Sequence, residues 1–389
     1  MIDLQRIINS RQALTLASVP NGFVPLLLAD LTRAAKTRTL YIAPDESAMR
    51  AIADATPFFA PELEILILPG WDCLPYDRAS PSVAVTSQRM ATLQALQQPA
   101  KKKQLVVTTI GAVIQKYVTP FRIRQTGERL AAGREISRER LASLLQSNGY
   151  FRVDTVADAG EFAIRGSIVD LFPAGSEVGL RLDFFGDEIE SIRRFNPSDQ
   201  RSIDQVEHFD ILPAVEALMD EEAIKRFRTG YRERFGVTAT GDPLYQAVSE
   251  GRRLSGMDHW LPLFEERMAT IFDHVGADAL IILDSGAIAA GQSRLDAITD
   301  YHENRVKAQA AEPGSYRPLP PEMLYLSGDE LDLLFADNAA HLLTPFAQPD
   351  TASIIDFGIG AARDFAPERA QKTNVYEAVA AILSHSTYP

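Results

Sequence analysis

Four short apolar runs, rich in β-branched and aliphatic residues, recur at residues 38–42, 63–68, 104–109 and 279–283. The first ends at Ala43-Pro44 and the second at Pro69-Gly70, both chain-turning pairs. Between and around them lie stretches with helical spacing. Residues 25–35 carry Leu26, Leu27, Leu28 and Leu31 toward a core, residues 87–97 are amphipathic, and residues 111–117 continue from the third run as a helix. Short apolar strands separated by helices predict a parallel sheet. The fold class expected is therefore α/β, of the kind that houses P-loop nucleotide-binding and helicase domains.

The pattern changes after residue 120. A helix over 138–146 ends at Asn148-Gly149, a good C-terminal cap. Strands then follow with little helix between them, at 162–164, 167–172, 180–185 and 188–195. Four segments result: an α/β half at 1–120, a small α+β insertion at 121–211, a second α/β half at 212–345, and a linker with the start of something further at 346–389. The segment 311–321, with four prolines and a glycine, reads as a loop, and 375–384 as a helix. There is no repeat of fixed period.

Composition narrows the function. The formal net charge is −13, a field that repels phosphate backbones and argues against tight nonspecific DNA binding over the whole surface. Lys101-Lys102-Lys103 is the one basic run and reads as a solvated loop rather than a phosphate site. No apolar run approaches the ~20 residues that a bilayer requires, and the first residues are not those of a signal peptide. The lone Cys73 cannot form an intramolecular disulfide and fits a reducing cytoplasm. The six histidines are scattered without ligand spacing, so no metal is expected. No nucleophile elbow is present, and Asp187-Glu188 reads as a turn rather than a catalytic pair.

The first strand–loop–helix unit is where an α/β nucleotide-binding protein carries its phosphate loop. That loop needs glycines, a lysine for the β- and γ-phosphates, and a hydroxyl for Mg²⁺. Here the stretch from Ser18 to Pro25 holds one glycine, Gly22, with Val24 in place of the lysine and Pro25 in place of the hydroxyl residue. A second element has also degraded. The run at 279–283 leads into Asp284-Ser285, where a helicase would place Asp-Glu to hold Mg²⁺ and activate water. Asp284 is then better read as a helix cap. No catalytic residue and no cofactor is expected. The competing enzyme reading, a DNA-dependent ATPase of the helicase class with a divergent loop, has Val24 and Pro25 against it.

The strand at 180–185 alternates, with Leu180, Leu182 and Phe184 on one face and Arg181, Asp183 and Phe185 on the other. Gly186-Asp187 permits a tight turn into the next strand. Two readings stay open on this pattern. Phe185 beside an arginine on a rigid sheet is the composition of an interface anchor. Alternatively Phe185 is a core residue at a turn, and Arg181 a surface charge neutralised by Asp183.

Three blocks carry a family resemblance. The first is Gly70-Trp71-Asp72-Cys73-Leu74-Pro75-Tyr76-Asp77, followed by Ser80-Pro81 and Ser87-Gln88-Arg89. The second runs from Gly160-Glu161-Phe162 through Arg165-Gly166-Ser167 to Asp170-Leu171-Phe172-Pro173, and the third from Arg181-Leu182-Asp183 to Glu188-Ile189-Glu190-Ser191. These blocks, in this spacing, resemble transcription-repair coupling factors over about residues 10–345, and the middle one is shared with the excision-repair protein UvrB. The resemblance implies a UvrB-shaped module that has lost the phosphate loop, the acidic pair and UvrB's DNA-prying hairpin, for which the route from Tyr76 to Met90 is too short. It implies UvrA as partner, through Arg165, Arg181 and Phe185, with Asp183 and Glu188 adjacent. RNA polymerase and duplex DNA would be met by other domains of the family's full-length protein, and those distal domains would pack on this module.

Overall fold

The computed structural model describes residues 4–236, 241–311, 316–360, 365–371 and 374–385. Four strands come first: β1 (Thr15–Ala17), β2 (Arg38–Ala43), β3 (Glu64–Leu68) and β4 (Gln104–Thr109). Eight follow in the insertion: β5 (Glu128–Ala131), β6 (Phe151–Arg152), β7 (Glu161–Arg165), β8 (Ile168–Leu171), β9 (Gly179–Phe185), β10 (Glu188–Phe195), β11 (Ser202–Val206) and β12 (His208–Ile211). The chain then returns with β13 (Leu280–Asp284), β14 (His341–Leu343) and β15 (Ile354–Asp356).

The first and last groups form one seven-stranded sheet in the order β15-β1-β14-β13-β2-β4-β3. Every pair in it is parallel. Its middle strands are apolar on both faces, which explains why they read as continuous runs rather than alternations. Leu40, Ile42, Val106, Ile281 and Leu283 point into one core, with Met90, Leu93, Val113 and Ala287 from the helices of that side. Tyr41, Leu105, Val107, Leu280 and Ile282 point into the other, with Leu27, Leu28, Leu31, Met49 and Ile52. The expected α/β class is borne out, with a separate small sheet inserted.

That second sheet has the order β11-β10-β9-β8-β7-β6, and β5 pairs with β12 beside it. All its pairs are antiparallel except β6 with β7. The helix Arg138–Ser147 lays Leu141 and Leu145 against Leu180, Leu182, Phe184, Ile189 and Ile192 on its inner face.

Three local readings need correction. The helix expected to reach 117 stops at Ile114. Gln115 and Tyr117 are drawn into bridges with Tyr325 and Ala269, and the Lys116 N–H donates to the Leu324 carbonyl, so crossing segments take the backbone groups a helix would need. The half at 212–345 holds a second strand, His341–Leu343, and the stretch expected as linker holds β15, which pairs with β1. Three-residue strands carry no period to read. Of the loop expected at 311–321, residues 312–315 lie outside the described residues.

The insertion is seated on the helix Val83–Gln97. A Cβ on Gly160 would lie 2.2 Å from Val83 Cγ1, and one on Gly175 would lie 2.2 Å from Ala91 Cβ; both glycines have positive φ. Only glycine permits that approach. The Thr86 hydroxyl donates to the Ala214 carbonyl at 2.7 Å. Where the insertion ends, Glu216 enters the large core. It accepts from Arg89 Nε at 2.7 Å, from Arg89 Nη2 at 3.1 Å and from the Trp71 indole at 2.7 Å.

Candidate protein-binding face

The loop from Ser18 to Pro25 is closed by its own backbone. Ser18 has φ of 55°, and its N–H donates to the Phe346 carbonyl at 3.2 Å. The Val19 N–H donates to Thr344 O at 3.1 Å, Phe23 N–H to Pro20 O at 2.8 Å, and Val24 N–H to Asn21 O at 3.3 Å. Pro25 has no N–H, and Val24 and Pro25 are buried in the first turn of the helix Val24–Ala34. The amides of Ser18, Val19, Phe23 and Val24 are thus engaged by carbonyls of the chain itself. Asp356 lies beside this loop. The Gly358 N–H, and then Ser18, hold its carboxyl below the usual range.

Asp284 is a structural cap. Its Oδ1 accepts the Gly286 N–H at 2.8 Å, and its Oδ2 accepts the Tyr41 hydroxyl at 2.9 Å. Both oxygens are engaged at the start of the helix Ser285–Ala311, as the capping reading expects. Among the described residues no cluster of His, Cys, Asp or Glu could hold a metal ion. In the basic run, Lys103 is tethered to the carbonyls of Ala35 and Lys36, which leaves Lys101 and Lys102 as the exposed members.

The outer face of the inserted sheet is different in kind. Leu180, Leu182 and Phe184 are buried on the inner side. On the outer side the register aligns Asp170 with Arg181, Arg181 with Arg193, and Asp183 with both Ile168 and Ser191. Arg181 forks onto Asp170, with Nε 2.7 Å from Oδ1 and Nη2 3.0 Å from Oδ2. Arg165 reaches the same Asp170 from β7. Asp170 is 1% exposed, so one buried carboxylate orients two guanidiniums. The Arg181 guanidinium also lies 4.9 Å over the Phe195 ring. Its neighbour Asp170, through that hydrogen bond, raises its pKa further.

Phe185 stands at the end of this face and is 78% exposed. It pairs in register with Glu188 across the turn, where Gly186 has φ of 63°. The turn is braced from below: the Ile136 N–H donates to Asp187 O at 2.8 Å, and Ile189 N–H to Arg134 O at 3.0 Å. The ring is therefore held out on a fixed hairpin. It is not a core residue.

One expectation fails in detail. Asp183 makes no ion pair with Arg181, whose main partner is Asp170. Asp183 accepts from Arg193 Nη2 at 2.5 Å and from the Ser191 hydroxyl at 3.0 Å, because the register places Arg181 beside Asp170 instead. Nor do both arginines project alike. The Arg165 side chain is 50% exposed and that of Arg181 only 16%. Asp170 and Arg193 were not singled out in the sequence. A single acid in the apolar run Ile168-Val169-Asp170-Leu171, on the outward parity, was the available signal for the first.

Residues 129–216 match the UvrB interaction domain, a span that begins in β5 and ends at the buried Glu216. Over 320 residues, 82% of its length, the chain is 31% identical to a transcription-repair-coupling factor of Haemophilus influenzae, of which this covers 27%. Over 307 residues, 78% of its length, it is 34% identical to that of Escherichia coli, covering 26%. The chain is a relative of the transcription-repair-coupling factors. A factor from Myxococcus xanthus is 34% identical over 260 residues, 64% of this chain and 21% of its own length. The chain thus spans about a quarter of the length of the first two of these curated relatives. The outward face built around Asp170 lies wholly inside the matched domain. No helix among the described residues is long and apolar enough to cross a membrane.

Proposed function

We propose that this chain is a protein-binding module with no nucleotide chemistry of its own, which recruits UvrA in transcription-coupled nucleotide excision repair. The binding surface is the outer face of the inserted sheet, with Phe185 and Arg165 as direct contacts, Arg181 beneath them, and Asp183 and Glu188 at the margin. The observation that carries this reading is Phe185 itself: a phenyl ring 78% exposed on a braced hairpin, on the same sheet face as an ionic network centred on the buried Asp170. Such a ring is costly to leave in water, and it fits an apolar notch with carboxylates nearby.

The lack of ATPase activity is supported by the loop from Ser18 to Pro25, whose N–H groups of Ser18, Val19, Phe23 and Val24 are all occupied within the protein. Co-purification of UvrA with the tagged chain tests the proposal. Retention of UvrA by the wild-type chain and its loss with Phe185→Ala is the result expected. Failure of the wild-type chain to retain UvrA removes the proposal.

A further inference from the structure

A cavity of about 350 Å³ opens on the second α/β half, on elements other than the inserted sheet. Its walls are Trp260, Tyr316, Leu244 and Leu254, with Arg78, Arg317 and Asp242 at its polar side. The Trp260 and Tyr316 rings stand 4.5 Å apart, and the Trp260 indole N–H is already satisfied by the Arg317 carbonyl at 3.0 Å. The polar groups are not so well served. The Tyr316 hydroxyl is buried with no hydrogen-bond partner, while Arg317 Nε makes no hydrogen bond but faces Asp242 Oδ2 at 3.6 Å.

Charge in this cavity runs against that of the whole protein. Two guanidiniums, Arg78 and Arg317, line it against one carboxylate, Asp242, and Arg305 lies 4.9 Å over the Tyr316 ring with its Nε donating to the Tyr76 carbonyl at 2.8 Å. Among the described residues, neither Arg78 nor Arg305 has a carboxylate within 4.0 Å. Arg317 has only Asp242, at 3.6 Å. Asp242 divides its oxygens: Oδ1 accepts the Leu244 N–H at 2.8 Å as a helix cap, and Oδ2 faces Arg317. A buried donor without an acceptor is rare in a folded protein and points to a partner that the chain does not supply. Guanidinium forks match a carboxylate, and aromatic walls match a ring. The volume lies at the small end of the ~300–1,000 Å³ usual for ligand sites.

We propose that this cavity binds an aromatic carboxylate, its ring against Trp260 and Tyr316 and its carboxylate on Arg317 and Arg78. Two sources share that chemistry: a free aromatic acid and the C-terminal aromatic residue of a peptide. The probes are phenylacetate for the first and N-acetylphenylalanine for the second, with N-acetylphenylalanine amide as the uncharged comparison. Titration of the full chain is followed by calorimetry and by tryptophan fluorescence, since Trp260 forms one wall. Saturable binding of at least one acid is expected, with the amide about tenfold weaker or more. Whichever acid binds more tightly identifies the source. Arg78→Ala, at an exposed side chain, and Arg317→Gln should each weaken binding about tenfold, while Arg194→Gln on the inserted sheet leaves it unchanged. Should Arg317→Gln unfold the chain, Leu254→Glu at the cavity wall serves instead and should abolish binding of the acids by like-charge repulsion. Three results overturn the proposal: no saturable binding of either acid at millimolar concentration, equal binding of acid and amide, or undiminished binding by Arg78→Ala.

Discussion

Arg89 and Glu216 form an ion pair in which neither side chain is more than 1% exposed, and Glu216 is the last residue of the matched interaction domain. The pair is fully furnished. Arg89 also donates to the Pro69 carbonyl at 2.7 Å and stacks 4.7 Å over Tyr117, while Trp71 fills the remaining position on Glu216. It joins the loop after β3, the helix under the insertion and the exit of the insertion at one point. Removing one partner strands a buried charge, which costs about 3–5 kcal/mol. Arg89→Ala should therefore lower unfolding free energy by that order in urea titrations. A double replacement, Arg89→Met with Glu216→Leu, should recover much of the loss. Equal destabilisation by the single and double variants would show that the pair is not the source.

Two buried histidines predict acid sensitivity. Burial pushes His259 down to about 4, and burial likewise pushes His274 down to about 4, from an ordinary 6.5. Burial keeps His274 neutral against the opposing pull of the Val118 carbonyl, which accepts its Nε2–H at 2.9 Å, and Nδ1 lies 3.1 Å from the Gln97 amide nitrogen. Between pH 6.5 and 4 the unfolded chain binds protons that the folded chain refuses, so stability falls as pH drops through that window. Each histidine should contribute roughly 1–2 kcal/mol of loss between pH 7 and 5. Urea midpoints at the two pH values measure it. His274→Asn should reduce the difference, and an unchanged pH dependence in that variant would contradict the assignment.

The nucleotide prediction follows from the occupied amides at Ser18, Val19, Phe23 and Val24. Calorimetric titration with Mg-ATP should give no heat of binding at this loop, and ATP should not raise the melting temperature. Micromolar binding lost on mutation of Asn21 or Gly22 would revive the enzyme reading.

Much of this was legible in the chain. The central strands announced themselves because a sheet buried on both faces must be apolar without alternation. The alternation of 180–185 correctly divided Leu180, Leu182 and Phe184 from Arg181, Asp183 and Phe185. What was hidden depended on register. Nothing in the spacing of Arg181 and Asp183 tells that the next strand brings Asp170 opposite the arginine, or that Arg193 takes Asp183. The strands His341–Leu343 and Ile354–Asp356 were hidden because three residues carry no period, and they are recruited by pairing with β1.

Asp170 offers a test of that register. It carries hydrogen bonds from Arg165 and Arg181, and charged hydrogen bonds of this kind are worth about 1.5–3 kcal/mol. Asp170→Ala should destabilise the inserted sheet by about 2 kcal/mol and leave Arg165 without its orientation. The expected outcome is a lower melting temperature together with weaker UvrA binding. Wild-type stability in this variant would mean the shared carboxylate is not formed in solution.

The account stands most directly on Phe185. Its ring lies 78% exposed and outside the core, so Phe185→Ala should leave circular dichroism and melting temperature at wild-type values. Titration calorimetry of the chain with UvrA should then show affinity weakened by ~2 kcal/mol or more, about thirtyfold. Unchanged affinity in a folded Phe185→Ala variant would contradict the proposed surface.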